Sequence, residues 1–396
     1  MEATRPTQSA HAAPTQSAQV APELKPAQHR DGKVRVAVLF GGRSTEHSIS
    51  CITAGSVLAA LDPQRYDVVP IGITREGRWV LASGDPAAFQ IHGAHLPEVA
   101  TSDASVVLAA DPTAPELVVS EPGAVPRILA DVDVVFPLLH GPYGEDGTIQ
   151  GLLELAGIPY VGAGVLSSAA AMDKHYMKLV LQGAGLPDIP HVVVRPREWK
   201  DDPSAVRESV ASLGFPVFVK PARGGSSIGI SKVHDAGELK DAIELAQRSD
   251  PKVIVEAMVE GREIEVGVME GIDGGPPEVS LPAEITVRDR EFYDFDAKYL
   301  DLDTDIVIPA SLTADVEAQI RRLAAMAFEA LSCEGLARVD FFVTAAQRVL
   351  VNEVNTMPGF TPTSVFPRVW AASGLDYPAL LDRLIQTALR RPAGLR

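Results

Sequence analysis

LARVDFFVTAAQRVLVNEVNTMPG (Leu336–Gly359) consists of two strand-like runs joined by a short polar connection. Asp340 follows Arg338 by two residues, and Asn355 follows Glu353 by two. On a strand, that spacing puts both members of a pair on one face. If the connection is even-numbered, Asp340 faces Glu353 and Arg338 faces Asn355. Directly opposed carboxylates destabilise a hairpin unless something positive sits between them. Carboxylate and carboxamide oxygens are hard ligands, suited to Mg²⁺ that also holds phosphate oxygens. A solvated polar face with a surface arginine accounts for the same letters, and the hairpin alone leaves both readings open.

Upstream lies KPARGGSSIG (Lys220–Gly229). A lysine at a strand end followed by Gly224, Gly225, Ser226 and Ser227 can wrap amide and hydroxyl donors around a phosphate. A plain glycine-rich hairpin turn fits equally well at this stage. The stretch is not GxxxxGK[ST]. GSSIG does match the G-x-S-x-G nucleophile elbow, but that motif needs a strand-to-helix turn and a downstream histidine. Here ISKV continues as strand, and His234 is the only histidine that follows.

Nearer the N-terminus, the apolar run VRVAVLF (Val34–Phe40) reads as a buried strand that breaks at Gly41-Gly42. Cys51, Ala54, Leu58 and Leu61 then mark one stripe of a helix. YDVVPIGIT (Tyr66–Thr74) and VDVVFPLLH (Val132–His140) read as further strands, and a helix ends near Gly157. Strands alternating with helices predict a parallel α/β domain over residues 33–163. Glu46 and the stretch HGPYGEDG (His140–Gly147) lie at carboxyl ends of its strands, where open α/β sheets bind ligands. Neither segment is a G-x-G-x-x-G fingerprint. Glu46 could complement the helix dipole or pair with a ligand ammonium, and its position does not decide.

Residues 164–259 change rhythm. They predict a helix over 168–182, a strand–turn–strand unit through the glycine loop, a helix over 236–249, and a strand over Val253–Val259. Residues 260–396 run strand-rich to Ala310, then form a helix over 313–331, the hairpin, and terminal helices. Residues 1–32, with PTQSA at Pro6–Ala10 and again at Pro14–Ala18, cannot bury enough apolar surface to order and read as a disordered tail. They lack the continuous apolar core of a secretory signal.

A formal net charge of −17 argues against nucleic acid as a partner. No run of about 18 apolar residues offers a membrane span. Cys51 and Cys333, the only cysteines, cannot build a disulfide framework, which fits a reducing cytoplasm.

EFYDFDAKYLD (Glu291–Asp301) alternates Tyr293, Phe295, Ala297 and Tyr299 with Asp294, Asp296 and Lys298, the pattern of an amphipathic strand. A calcium loop opening at Asp301 fails, because Ile306 stands where glycine is required and Leu312 where glutamate is.

GGRSTEHSIS, LLHGPYGEDGTIQG, MDKHYMK, VKPARGGSSIG, FYDFDAKY, ARVDFF and NEVNTMPGFTPTS follow one another along the chain. In that order they resemble the D-alanine–D-alanine ligases of the ATP-grasp superfamily, over about residues 33–390. The resemblance implies a three-domain α/β (α+β) ATP-grasp fold: a substrate-binding domain over 33–163, a central domain over 164–259, and a C-terminal domain over 260–396. ATP would lie between the last two.

By the same resemblance, Asp340, Glu353 and Asn355 would hold two Mg²⁺ ions. Mn²⁺ could substitute, and an assisting monovalent cation is left open. Lys174, Lys220, Ser226 and Ser227 would contact the ATP phosphates. Glu256, Ala257 and Val259 would contact adenine, and Glu263 the ribose. Family members often have lysine where Ala257 stands, and the contact there is largely backbone. Glu46 would bind the ammonium of the first D-alanine, with His140 and Arg338 near its carboxylate. Ser364 and Lys298 would hold the carboxylate of the second, and Lys298 would also face the transferring phosphoryl group. Arg338 and the Gly359 N–H would stabilise the oxyanion. Glu46, Ser226 and Tyr299 form the family-based candidate for deprotonating the second amine. The EFYDFDAKYLD stretch would be a lid.

The implied partners are two D-alanines and ATP, in a cytoplasmic homodimer without nucleic acid or membrane. D-Alanyl-D-lactate synthesis is the nearest alternative, but such relatives lack a FYDFDAKY-type loop. Another ATP-grasp carboxylate–amine ligase would keep Lys220 and the hairpin without the Glu46, His140 and Ser364 set. A nucleotide-binding regulator would show damage among Lys220, Arg338, Asp340, Glu353 or Asn355, and none is seen.

Overall fold

The computed structural model describes residues 32–91, 95–113, 116–225, 229–287 and 304–391. The first sheet has the strand order Trp79–Leu81, Tyr66–Ile73, Val34–Gly41, Val134–Pro137. Its three longer strands pair in parallel, and Trp79–Leu81 is antiparallel. The strand Val34–Gly41 is buried almost throughout, which is why its sequence is a continuous apolar run rather than an alternating one. The helix His47–Ala60 follows it directly and buries Cys51, Ala54 and Val57.

A small antiparallel meander, Ser105–Leu108, Glu116–Ser120 and Arg127–Asp131, stands beside this sheet. The sequence reading assigned nothing here. Its strands are four or five residues long, so periodicity has few positions to act on. Leu117 and Val119 nevertheless pack into one core with Leu39 and Ile71.

The third sheet runs Ser231–Val233, Val217–Pro221, Val253–Ala257, His191–Val194, all antiparallel. Helices Pro203–Ala211 and Leu239–Ala246 supply Val210, Leu239, Ile243 and Ala246 to its core. The fourth and largest sheet has the order Thr304–Val307, Ala283–Val287, Gly261–Met269, Leu336–Thr344, Val349–Asn355, with Glu278–Val279 on Gly261–Met269. Helix Ala314–Ala330 packs Ile320, Leu323 and Ala327 into a core with Val266, Val339 and Val351. The helices Val365–Ala372 and Tyr377–Arg390 share a second core with Phe136 of the first sheet, where Phe360 stacks between Phe136 and Phe366. Each such buried aromatic contributes about 1.5–3 kcal/mol by leaving water.

The helix expected over 168–182 is in fact two, Val165–Met172 and Lys174–Gly183. Asp173 divides them in extended conformation, and its carboxylate accepts from the N–H groups of His175 and Tyr176. That is an N-cap, and it makes Lys174 the first residue of the second helix. Among the described residues, no helix is long and apolar enough to cross a membrane.

Candidate active site

The hairpin owes its chemistry to one extra residue. Val343 pairs with Val349, leaving the odd-numbered stretch 344–348 between them. Continued regularly, that register would set Asp340 opposite Asn352 and turn Glu353 to the other face. A bulge intervenes: Phe341 pairs with Val351, whereas Asp340 pairs with Glu353 and Arg338 with Asn355. The facing expected for an even-numbered connection is therefore reached through the bulge at Asn352. The next strand adds a third acid, because Glu265 lies opposite Asp340 on its other side.

Arg338 holds these acids together. Its Nε and Nη2 donate to Asp340 Oδ1 and Oδ2 at 2.7 and 2.6 Å, and Nε lies 3.0 Å from Glu265 Oε2. Burial works against the guanidinium charge, but Asp340 and Glu265 outweigh it and hold the group firmly protonated. Asn355 Nδ2 donates to Asp340 Oδ2 at 3.1 Å. That turns both Asp340 and Asn355 toward one point, with Glu353 beside them on the cleft wall. Two carboxylates and a carboxamide oxygen on one face are the donor set of a hard divalent cation. A carboxylate offers about four lone-pair sites, more than the three hydrogen bonds that Arg338 and Asn355 donate to Asp340. The residues fit the metal that the resemblance implies.

Facing the hairpin are the lysines. Lys220 is the last residue but one of the strand Val217–Pro221, before the glycine loop, and its Nζ donates to Glu256 Oε2 at 2.5 Å. Lys174 Nζ donates to Gly224 O at 2.8 Å and lies 3.8 Å from Glu353 Oε2. One lysine thus spans from the glycine loop to the hairpin. ISKV does continue as strand, Ser231–Val233, and not as the helix that must follow a hydrolase nucleophile elbow.

The third wall comes from the first sheet. Glu46 is buried at the N-terminus of its helix, and its N–H donates to Ser44 Oγ at 2.9 Å. His140 bonds Met357 O through Nδ1 at 3.2 Å, while its buried Nε2 has no hydrogen-bond partner among the described residues. Burial pushes the imidazole pKa down, against the nearby Glu46 charge and the Met357 bond. A neutral ring that gives its Nδ1–H to Met357 presents a lone pair at Nε2. Glu145 accepts from Gly141 N at 2.6 Å, and burial first, then the Glu46 charge, pushes its carboxyl up to about 8.

Of the residues picked out in the sequence, Glu46, His140, Lys174, Lys220, Glu256, Ala257, Val259, Glu263, Arg338, Asp340, Glu353, Asn355 and Gly359 all line a single cleft. Ser364 stands apart from that lining, at the start of helix Val365–Ala372, with Oγ 2.8 Å from Thr361 Oγ1. Ser226, Ser227, Lys298, Tyr299 and the rest of the EFYDFDAKYLD stretch lie outside the described residues, as do residues 1–31. Sequence reasoning passed over Glu145, Glu265 and Lys178. Glu145 sits within a motif that was quoted, and Lys178 carries the second lysine of MDKHYMK.

Comparison with known proteins agrees. Residues 35–163 match the family described as D-ala D-ala ligase N-terminus, and residues 180–386 match D-ala D-ala ligase C-terminus. The chain is 56% identical over 371 residues to the D-alanine–D-alanine ligase of Streptomyces coelicolor, covering 91% of this chain and 95% of that protein. The corresponding ligase of Mycobacterium ulcerans is 55% identical over 376 residues, with coverages of 93% and 99%. Among solved structures, the D-alanine-D-alanine ligase from Coxiella burnetii superposes with a TM-score of 0.75 at 36% identity, covering 90% of this chain and 94% of that one. The VanG D-Ala:D-Ser ligase from Enterococcus faecalis gives 0.77 at 36%, covering 90% and 99%.

Fold and site together define an ATP-grasp enzyme, one that joins a carboxylate to an amine at the expense of ATP. The chain belongs to the D-alanine–D-alanine ligase family, whose ATP- and divalent-metal-dependent reaction makes the D-alanyl-D-alanine of peptidoglycan.

Proposed function

We propose that the cleft performs this ligation with the residues described, and that the register of the hairpin is the observation that carries the assignment. Asp340, Glu353 and Asn355 would hold two Mg²⁺ ions, which Mn²⁺ could replace. When bound, the metal offsets phosphate charge. Lys174 and Lys220, with the loop that carries Ser226 and Ser227, bind the phosphates. Ala257 and Val259 meet the adenine and Glu263 the ribose. The Glu256 carboxylate is committed to Lys220, so its adenine contact is through backbone.

Glu46 takes the ammonium of the first D-alanine, while Arg338 and His140 lie toward its carboxylate. That carboxylate attacks the γ-phosphate, releasing ADP and leaving an acyl phosphate. Lys220 and Lys298 offset the charge of the transferring group. The amine of the second D-alanine, its carboxylate held by Ser364 and Lys298, then attacks the acyl carbon. Arg338 and the Gly359 N–H stabilise the oxyanion before inorganic phosphate leaves. Glu46, Ser226 and Tyr299 carry away the amine proton. Catalysis is positioning, electrostatics and exclusion of water, with no covalent enzyme intermediate.

The same reading makes the enzyme a cytoplasmic homodimer with three domains divided near residues 163 and 259. Phosphate release by purified protein with MgATP tests the chemistry. Release should depend on D-alanine and not L-alanine, with D-alanyl-D-alanine as product. Equal turnover with D-lactate or D-serine as second substrate would overturn the specificity, and no D-alanine dependence would overturn the reading.

A further inference from the structure

Lys178 takes no part in the reaction above, yet it is the most deeply buried lysine described. Its side chain is fully enclosed, with Nζ 2.7 Å from Asp188 Oδ1 and 3.0 Å from Glu256 Oε1. The other oxygen of Glu256 accepts from Lys220 Nζ at 2.5 Å. At the far end, Asp188 Oδ2 accepts from Gln182 Nε2 at 3.0 Å and lies 3.4 Å from His191 Nδ1. Opposite charges therefore alternate inward from Asp188 through Lys178 and Glu256 to Lys220. Lys178 and the two carboxylates are almost wholly shut away from water, and Glu256 and Lys220 are the two members of the set that line the cleft.

Buried ion pairs are poor stabilisers. Desolvation consumes most of their attraction, and apolar groups of like volume commonly do as well or better. Three consecutive buried charges behind a phosphate-binding lysine therefore call for a reason other than stability. Burial pushes the Glu256 carboxyl up, but the Lys178 and Lys220 ammoniums outweigh it and hold it well below the usual carboxylate range. Lys178 likewise keeps its proton against burial, through Glu256 and Asp188.

We infer that Lys178 is a positioning residue for the nucleotide. It fixes Glu256 and balances its charge, so that Lys220 stands at the cleft with its positive charge available to phosphate. This rests on the reading of Lys220 as a phosphate ligand. Without Lys178, Glu256 would rely on Lys220 alone, and together with Asp188 it would leave one uncompensated negative charge behind the phosphates.

The test compares Lys178→Met, Lys178→Arg, Lys220→Met and the Lys178→Met/Lys220→Met double variant in steady-state kinetics, well below each melting temperature. Lys178→Met should lower kcat/KM for ATP by about tenfold or more, leave the KM for D-alanine within about twofold, and be largely rescued by arginine. In the Lys220→Met background it should add little, because its effect passes through Lys220. Lys178→Met/Asp188→Asn, which removes one charge of each sign, should fold more readily and recover part of the ATP term. A lower melting temperature with unchanged ATP kinetics would overturn the proposal, as would parallel losses for ATP and D-alanine or full additivity with Lys220→Met. If Lys220→Met itself left ATP kinetics intact, the phosphate reading of Lys220 would fall instead.

Discussion

Asp340 and Glu353 stand directly opposite one another on neighbouring strands because Asn352 bulges out of the second. Arg338 clamps Asp340, and Lys174 approaches Glu353 to 3.8 Å, so the pair is tolerated before any metal arrives. Glu353→Gln keeps the shape and removes one negative charge from the proposed metal site. Since a bound cation is worth several kcal/mol of charge stabilisation, kcat should fall by about two orders of magnitude or more. Scanning calorimetry should show MgATP raising the melting temperature of the parent protein but not of the variant. Full activity in Glu353→Gln would remove the metal site from the hairpin.

Gly141 and Glu46 provide a second test. At φ +73°, Gly141 occupies a backbone region that favours glycine, and a Cβ there would fall 2.6 Å from Glu46 Oε2. Gly141→Ala should therefore displace the Glu46 carboxylate, raise the KM for D-alanine, and destabilise the fold by about 1 kcal/mol or more. The KM for ATP should move far less. Gly151, inside helix Thr148–Leu155 with open space at its Cβ, is the control. Gly151→Ala should stabilise by up to about 1 kcal/mol and leave both KM values alone.

Neither cysteine should matter to activity. Cys51 and Cys333 are buried, and burial pushes both thiols up to about 12. At neutral pH almost no thiolate is present to react. Incubating the native enzyme with iodoacetamide should leave activity intact, and both cysteines should become modified only after denaturation. Rapid loss of activity in the native state would show that one of them is more accessible than its burial implies.

How far the sequence carried is clearest at particular residues. The strand Val34–Gly41 was legible because a doubly buried parallel strand writes itself as an unbroken apolar run. The acidic face of the hairpin was legible as residue types and spacing, but the bulge at Asn352 was not, since a single extra residue has no compositional mark. Asp173 was read as helix interior although it caps the second helix, because its neighbours keep the apolar stripe going on both sides. Lys178 and Glu145 stayed hidden for a different reason. Their meaning lies in partners distant in sequence, Glu256 for one and Met357 for the other, and periodicity says nothing about such pairings.

Glu145 is also the source of a pH dependence. Burial and the neighbouring Glu46 raise its carboxyl from 4.5 to about 8, while bonds from the Gly141 and Met357 backbone only partly oppose them. Between those two values the folded chain keeps a proton that the unfolded chain has released. Stability from this group is therefore fully present below about 4.5 and declines as pH rises, until it is lost through about 8. Glu145→Gln fixes a neutral group in its place. Urea denaturation at about pH 5, 7 and 9 should show the parent losing stability relative to the variant across this window, with the curves running parallel above it. A parent–variant difference that stays flat from about pH 5 to 9 would mean that Glu145 is held as a carboxylate across this range. The two bonds it receives from the Gly141 and Met357 backbone would then prevail over its burial.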